Sequence, residues 1–351
     1  MASQAPRKPV PFILPSGTRA VEPAPRSNDG LASPLIGFPP AQTAFVGRTS
    51  EIASLLAFLL DPQQRLISVL GPGGVGKTRI ALTTAEIAAD AFPDGVVFVA
   101  LAGLSEPGQV AGEIASALAV LGQSDRPILQ SVIAALSSSR LLLVLDNLEH
   151  LMGPGLRSLV SQVVQDCPGV TILTTSREPL QLGLEQRLVV SPMQVPAAGE
   201  RASALADADS VKLFLSRARA VAPDFAPGPD DLQTVVEICR RVDGLPLAIE
   251  LAAAWMRVFA PSALLAQLSE RLPLLTGGLS DQPARFRTMR DAIAWSYDRL
   301  PAAEATLLRR LSVCRGGFSL EAAMHLGDEV QLGASTSTLH LVASLCDKNL
   351  L

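Results

Sequence analysis

The sequence predicts an α/β protein in which a parallel sheet flanked by helices is followed by two helical units. Short apolar runs alternate with amphipathic stretches from Phe45 to about Val195. Wholly apolar strands separated by helices are typical of a parallel sheet that is covered on both faces. After Pro196 the strand pattern stops and a helical pattern takes over. These observations place the sheet in the first part of the chain and the helical units in the second.

Composition and charge narrow the class of protein. With 351 residues and 48% hydrophobic content, the chain is long enough for two or three domains with buried cores. The net charge of -4 gives the whole chain no footprint for binding a polyanion. The four cysteines stand far apart, which indicates neither a zinc site nor a disulfide framework. Because no apolar leader or uninterrupted apolar span is present, we expect a cytoplasmic protein without membrane contact.

The predicted elements follow in four segments. Residues 1–42 are rich in proline and lack apolar periodicity, so we expect a disordered arm. Residues 43–195 form the α/β domain, with strands predicted at 66–70, 96–101, 141–145, 170–173 and 188–190. Residues 196–280 form a helical subdomain, with helices predicted at 207–221, 229–243, 246–258 and 261–271. Residues 281–351 form a third unit, with helices predicted at 288–298, 302–312, 319–326 and 335–347.

A glycine-rich motif joins the first predicted strand to the helix that follows it. Its sequence, GPGGVGKT, is a complete P-loop in strand-loop-helix context, which disfavours the alternative of a simple glycine-rich turn. Glycines let backbone N–H groups turn toward a phosphate, Lys77 supplies a mobile charge and Thr78 a hydroxyl for Mg²⁺. The motif predicts that the chain binds a nucleoside triphosphate with Mg²⁺ through Gly71, Gly73, Gly74, Val75, Gly76, Lys77, Thr78 and Arg79.

Two acids follow the apolar run at 141–145. Asp146 ends that run in the form of a Walker B strand, where an acid can hold Mg²⁺ through water. The alternative is that Asp146 only caps a helix. Glu149 is the acid best placed to orient or deprotonate an attacking water, although it could equally be a solvated helix charge.

Arg177 follows the next strand, which ends in small hydroxyl residues. An arginine at this edge of the sheet can contact a γ-phosphate by a charge-assisted hydrogen bond. An isolated arginine after a strand more often lies on the surface, but its position after a Walker-type pair favours the phosphate role. Further on, glycine and then Pro246 mark a helix junction, which by itself predicts only a break between two helices.

Five motifs, taken in order, resemble the NB-ARC-type ATPases of the STAND class, which are signalling switches with an AAA-like core. They are FVGR at 45–48, GPGGVGKT, LLLVLDNLEHL, ILTTSREPL and GLPLAIELAAA. The chain is most similar to the ATPase modules of bacterial LuxR-like and antibiotic-regulator-like transcription factors, over about residues 43–351. The resemblance implies a P-loop NTPase sheet, a helical subdomain and a winged-helix domain at 281–351. It also implies that Val46, Gly47 and Arg48 lie near adenine, that Pro246 contacts the nucleotide and that Arg177 senses the γ-phosphate.

The chain departs from that family pattern in two ways. Many relatives carry two consecutive acids at the end of the Walker B strand, whereas here Asp146 is followed by Asn147. We therefore expect an ATPase with low turnover, and the identity of its catalytic base is not fixed by the sequence. The sequence also stops before the wing and before the Met-His-Asp sensor of the family, so we expect an incomplete winged-helix domain and a truncated chain.

The sequence therefore predicts an ATP/ADP-driven switch with Mg²⁺ as cofactor. We expect self-association on activation, and sensor or output domains that lie outside this chain. The alternative is a transcription factor whose winged helix contacts DNA directly under ATPase control. Residues 285–351 carry nearly balanced charge, which disfavours a strong phosphate-binding face there. A metabolic kinase would need a substrate lid and an acid/base pair that the sequence does not reveal.

Overall fold

The computed structural model describes residues 34–40, 43–120, 126–197, 202–270, 288–314, 317–328 and 337–351. Within them lies one parallel sheet of six strands in the order β1-β3-β4-β5-β2-β6. The strands are β1 (Leu35–Ile36), β2 (Leu66–Leu70), β3 (Val96–Ala100), β4 (Leu142–Asp146), β5 (Thr171–Ser176) and β6 (Glu185–Val189). The predicted parallel α/β fold is confirmed.

Helices cover both faces of the sheet, and further helices follow it. The first group is α1 (Thr49–Leu60), α2 (Lys77–Ala88), α3 (Val110–Ala117), α4 (Ile128–Leu136) and α5 (Pro154–Asp166). The second is α6 (Ala202–Asp207), α7 (Asp209–Val221), α8 (Pro229–Arg241), α9 (Pro246–Ala253) and α10 (Pro261–Glu270). The third is α11 (Met289–Tyr297), α12 (Ala302–Leu311), α13 (Leu320–Asp328) and α14 (Thr338–Asp347). None of the helices in the described ranges is long and apolar enough to cross a membrane.

Alternate residues of each strand build two separate cores. Val97 and Leu143 pack with α3 and α5 on one face, whereas Phe98 and Val144 pack with α1 and α2 on the other. This follows from the strand period of two, which points neighbouring side chains to opposite faces. Every residue of β2 and β4 is buried, which explains why both strands read as continuous apolar runs.

The sheet register brings the functional motifs to one edge. Asp146 at the end of β4 is paired with Thr175 of β5, and Leu70 at the end of β2 is paired with Ser176 of β5. In open parallel sheets, ligands bind at the carboxyl ends of the strands. The P-loop after β2, the acid of β4 and the residues after β5 therefore lie side by side.

The helical part of the chain has two cores of its own. Helices α7 to α10 pack around the fully buried Phe214, and α12 to α14 pack around Leu307, Leu311 and Leu345. The predicted helix at 246–258 is α-helical only to Ala253 and continues as a 3-10 turn. In the third unit the described residues form four helices, and residues 281–287, 315–316 and 329–336 of the predicted winged helix lie outside the described part.

The sheet edges differ from the sequence prediction. Strand β6 begins at Glu185, three residues before the predicted run. Its first residues are polar and lie at the edge of the sheet, so the apolar pattern in the sequence did not include them. Residues 34–40 belong to the predicted arm, of which residues 1–33 and 41–42 lie outside the described part. Leu35 and Ile36 pair with β3, and the Phe38 ring lies 6.0 Å from that of Phe98.

Candidate nucleotide-binding site

The P-loop connects β2 to α2 in a conformation that requires glycine. Gly71, Gly74 and Gly76 have φ angles of 152°, 78° and 99°, all in the region that L side chains rarely adopt. A Cβ added to Gly74 would lie 2.9 Å from the Cβ of Leu247. Substitution there would therefore strain the loop and push it away from the helical subdomain.

Lys77 begins α2 and reaches back across the loop. Its Nζ donates to the carbonyl oxygens of Gly71 at 2.8 Å and Pro72 at 3.0 Å. The ammonium thus lies over the loop whose backbone, together with the positive N-terminal end of α2, provides an anion-binding concavity. The structure brings the predicted phosphate-binding residues together.

Asp146 is the centre of a buried hydroxyl network. Its side chain is 6% exposed, and its Oδ1 accepts from Thr78 Oγ1 at 2.6 Å and from Thr175 Oγ1 at 2.5 Å. Side-chain oxygens of Thr78 and Asp146 meet beside the P-loop, and oxygen is the ligand that Mg²⁺ prefers. These two residues fit an Mg²⁺ ion held together with nucleotide phosphates. Thr175 was missed from the sequence, although a hydroxyl at the end of a neighbouring parallel strand was a usable signal.

Glu149 and Arg177 are paired with each other. Arg177 Nε donates to Glu149 Oε1 at 3.1 Å, and the two side chains are 9% and 10% exposed. Glu149 Oε2 is buried and accepts no hydrogen bond from the described residues. A Cβ on Gly73 would lie 2.8 Å from the NH2 group of Arg177, so the guanidinium touches the P-loop. Glu149, the predicted base, and Arg177, the predicted phosphate sensor, therefore lie next to each other beside the P-loop.

Asn147 and His150 join this edge to the loop after β3. Asn147 has a left-handed φ of 70°, and its N–H donates to the carbonyl oxygen of Thr175 at 3.1 Å. The Asn147 amide lies 3.2 Å from His150 Nδ1, and His150 Nε2 lies 3.0 Å from the carbonyl oxygen of Leu104. Burial lowers the pKa of His150, which favours the neutral imidazole that this bridge uses. The sequence indicated no role for this histidine.

The predicted adenine edge lies between the P-loop and α7. The backbone N–H of Arg48 donates to Asp209 Oδ2 at 3.2 Å. In the Arg48 side chain, the guanidinium NH2 group donates to the carbonyl oxygen of Val75 at 3.2 Å. A Cβ on Gly47 would lie 2.2 Å from the same Asp209 oxygen. Val46 packs against the core of the helical subdomain. Asp209 was not predicted, because only the folded chain brings it to this loop.

Helix α9 begins at Pro246 directly against the P-loop. The N–H of Leu247 donates to the carbonyl oxygen of Gly74 at 3.1 Å. This places Pro246 near the loop, while its contact with a nucleotide stays a prediction.

Arg79 was predicted to bind the nucleotide, but its guanidinium makes other contacts. NH2 donates to the carbonyl oxygens of Thr43 and Ala44, each at 2.9 Å, and NH1 donates to Glu250 Oε1 at 3.2 Å. Arg217 of α7 donates to the same Glu250 oxygen at 3.0 Å. Arg79 thus links α2 to α7 and α9, while its role toward a nucleotide stays a prediction.

The chain is similar to several known proteins. Residues 61–182 match a family described as an AAA domain. An uncharacterized protein of Mycobacterium tuberculosis is 35% identical over 306 residues, which cover 87% of this chain and 74% of that protein. A second protein of the same organism, named as a candidate HTH-type transcriptional regulator, is 38% identical over 290 residues, covering 82% of this chain and 31% of its own length. A solved STAND protein with a tetratricopeptide repeat sensor, from Pyrococcus horikoshii, is 16% identical with a TM-score of 0.38, covering 89% of this chain and 40% of that one.

Proposed function

The chain belongs to the AAA-domain family of P-loop ATPases, together with its mycobacterial relatives, and on that premise we propose that it is an ATP/ADP-driven switch of the STAND class. The observation that carries the proposal is the bond from Leu247 N–H to the carbonyl oxygen of Gly74, which joins α9 to the phosphate-binding loop. A change at the phosphates therefore acts directly on the contact between the α/β domain and the helical subdomain.

Each site residue has a part in binding. Lys77 exchanges the loop carbonyls for the terminal phosphates, and Thr78 with Asp146 holds Mg²⁺. Bound MgATP supplies a transferable γ-phosphoryl group whose charge the metal partly neutralises. Val46, Gly47 and Arg48 line the base side, and Pro246 contacts the nucleotide from the helical subdomain.

The ion pair between Glu149 and Arg177 is formed in one state of the switch and broken in the other. A γ-phosphate competes with Glu149 for the guanidinium, because both are anions and the arginine already touches Gly73. Glu149 is then able to accept a proton from an attacking water. Once the γ-phosphate is lost, the pair re-forms and the population returns to the first state. Because Asn147 replaces a second acid and Glu149 starts in an ion pair, we infer slow turnover.

Transcriptional output is the proposed role of the whole protein. The chain spans 31% of the mycobacterial relative named as a candidate regulator, and that name supports the proposed output. Direct DNA contact by the third unit is the alternative. In the third unit, the last turn of α12 carries the basic residues Arg309 and Arg310. However, Arg310 NH1 donates to the carbonyl oxygen of Leu326 at 3.0 Å. That contact packs α12 on α13, which favours an internal role.

Hydrogen exchange in the two nucleotide states tests the switch. We expect Mg²⁺ with ADP and Mg²⁺ with adenylyl imidodiphosphate to give different protection in α7, α9 and the third unit. Lys77→Ala should abolish the effect of both nucleotides. Equal protection patterns with both nucleotides in the wild-type chain would show binding without switching. The same samples, run by size-exclusion chromatography, test the proposed self-association.

A further inference from the structure

The C-terminal end of α14 has a cap that uses an asparagine where glycine is more usual. Asn349 has a φ of 53°, its N–H donates to the carbonyl oxygen of Cys346, and Leu350 N–H donates to that of Leu345. These two bonds with a left-handed residue form a Schellman cap, which glycine or asparagine satisfies. The backbone conformation alone therefore does not require an amide side chain at this position.

The Asn349 side chain makes a contact outside its own unit. Its Nδ2 donates to the backbone carbonyl oxygen of Arg177. The guanidinium of that arginine is paired with Glu149 and touches Gly73. Arg177 is thus held at its carbonyl by the third unit and at its side chain by the nucleotide site.

Charged residues lie on both sides of this contact. Lys348 Nζ lies 2.6 Å from Glu304 Oε2, and Ser344 Oγ donates to Glu304 Oε1 at 2.8 Å. Glu178, the residue after Arg177, is half-buried, and burial raises its pKa while Lys348 lowers it and Glu304 raises it. The ammonium of Lys348 therefore pairs with Glu304 and also acts on the carboxyl group of Glu178. Arg177 and Asn349 meet where the two units share this charge cluster.

We propose that Asn349 is a positioning residue for the γ-phosphate sensor Arg177. The inference rests on the proposed function, in which Arg177 contacts the γ-phosphate. Arg177 follows the last residue of β5, so its backbone leaves the sheet ladder at the point where the sensor must be held. A hydrogen bond to its carbonyl restricts that backbone, and preorganising a binding group reduces the cost of ordering it when the phosphate arrives. ADP lacks the γ-phosphate and does not use this alignment.

The test compares nucleotide affinities of five variants of the whole chain with those of the wild type, and the fifth combines Arg177→Gln with Asn349→Gly. Asn349→Gly keeps the left-handed cap but removes the amide. Asn349→Asp keeps the size, but its carboxylate has no proton to donate to a carbonyl and it lies beside Glu178. Cys346→Ser, exposed in the same last turn, is the matched control. Arg177→Gln removes the sensor charge and keeps a polar group beside Glu149. Fluorescent ADP and adenylyl imidodiphosphate, each with Mg²⁺, are the probes.

We expect substitution of Asn349 to weaken binding of the triphosphate analogue more than binding of ADP. Asn349→Gly should raise the Kd for adenylyl imidodiphosphate about threefold to tenfold, as loss of one hydrogen bond implies, and change that for ADP by less than about twofold. Asn349→Asp should have a larger effect in the same direction, and Cys346→Ser none. In the Arg177→Gln background, Asn349→Gly should add nothing.

Three results would count against the inference in different ways. If Asn349→Gly weakens both nucleotides equally, or only lowers the unfolding temperature, Asn349 has a structural role alone. If Asn349→Gly leaves both affinities unchanged while Arg177→Gln weakens the triphosphate, the sensor stands and the positioning role fails. If Arg177→Gln has no selective effect, the proposed sensor role itself fails.

Discussion

Arg177 and Glu149 form a buried ion pair across the ends of two strands, with Nε 3.1 Å from Oε1. Removing one partner of a buried pair leaves an uncompensated charge, so neither residue is free to change without consequence. The pair also places a carboxylate and a guanidinium at the P-loop, where the first can receive a proton and the second can bind a phosphate.

Glu149→Gln should lower ATP turnover about a hundredfold or more without weakening ATP binding, because the amide has no basic oxygen for the water proton and competes less than the carboxylate for Arg177. The amide oxygen still accepts from Arg177, so the fold should be retained. Phosphate release under single-turnover conditions measures the effect. Glu106 is an exposed acid that follows β3, and Glu106→Gln is the control. Unchanged turnover in Glu149→Gln would assign the base elsewhere.

Lys77→Ala should weaken ADP binding about a hundredfold, since two charge-assisted hydrogen bonds to phosphates are lost. Titration with a fluorescent ADP analogue measures this, with circular dichroism to show that the variant folds. Lys212→Ala removes an exposed lysine of α7 that pairs with Asp207 and should bind normally. Equal affinity in Lys77→Ala and the wild type would refute the phosphate site.

Asp146→Asn should reduce ATP affinity about tenfold in the presence of Mg²⁺ and leave it unchanged in EDTA, because only the metal loses its anion. The amide oxygen can still accept from Thr78 and Thr175, so the hydroxyl network survives. Isothermal titration with and without EDTA separates the two contributions. A variant that keeps the full Mg²⁺ effect would leave Asp146 as a hydrogen-bond acceptor only.

Glu250→Ala should lower the free energy of unfolding by about 1–3 kcal/mol, because the guanidinium groups of Arg79 and Arg217 lose their shared anion. Affinity for ATP and ADP should fall alike, since this cluster joins α2 to the helical subdomain and does not discriminate the phosphates. Urea denaturation and nucleotide titration measure the two effects. Glu237→Ala, an exposed acid paired with Arg240, should change neither.

His150→Gln should make stability less dependent on pH below about 6.5, the ordinary imidazole pKa. Burial lowers the pKa of His150 in the folded chain, Glu149 raises it and Arg299 lowers it. As the pH falls through 6.5, the unfolded chain takes up the proton more readily, so the wild type loses stability until the lowered folded pKa is reached. Thermal unfolding at several pH values measures the slope. Parallel curves for the two proteins would exclude His150 as the source.

The sequence allowed most of the α/β fold to be predicted. Strands β2 and β4 are apolar runs buried on both faces, and periodicity identifies such runs directly. The apolar start of β5 was predicted as well, whereas its last three residues, which are buried hydroxyl residues, lie beyond the predicted run at 170–173. Strand β6 starts earlier than predicted because an edge strand needs no apolar face on each side. The two-residue β1 is too short to give a pattern. Local signals therefore located the interior of the sheet better than its edges.

The P-loop and the acid of β4 could be recognised along the chain as candidates for binding phosphate and Mg²⁺, since both are contiguous patterns set by backbone and charge requirements. The fold alone shows that Glu149 pairs with Arg177, that Thr175 shares Asp146 with Thr78, and that Asn349 reaches Arg177. These partners are distant along the chain, so no local pattern connects them. They meet only because parallel pairing brings the carboxyl ends of β2, β4 and β5 to one edge, against which the helical units then pack.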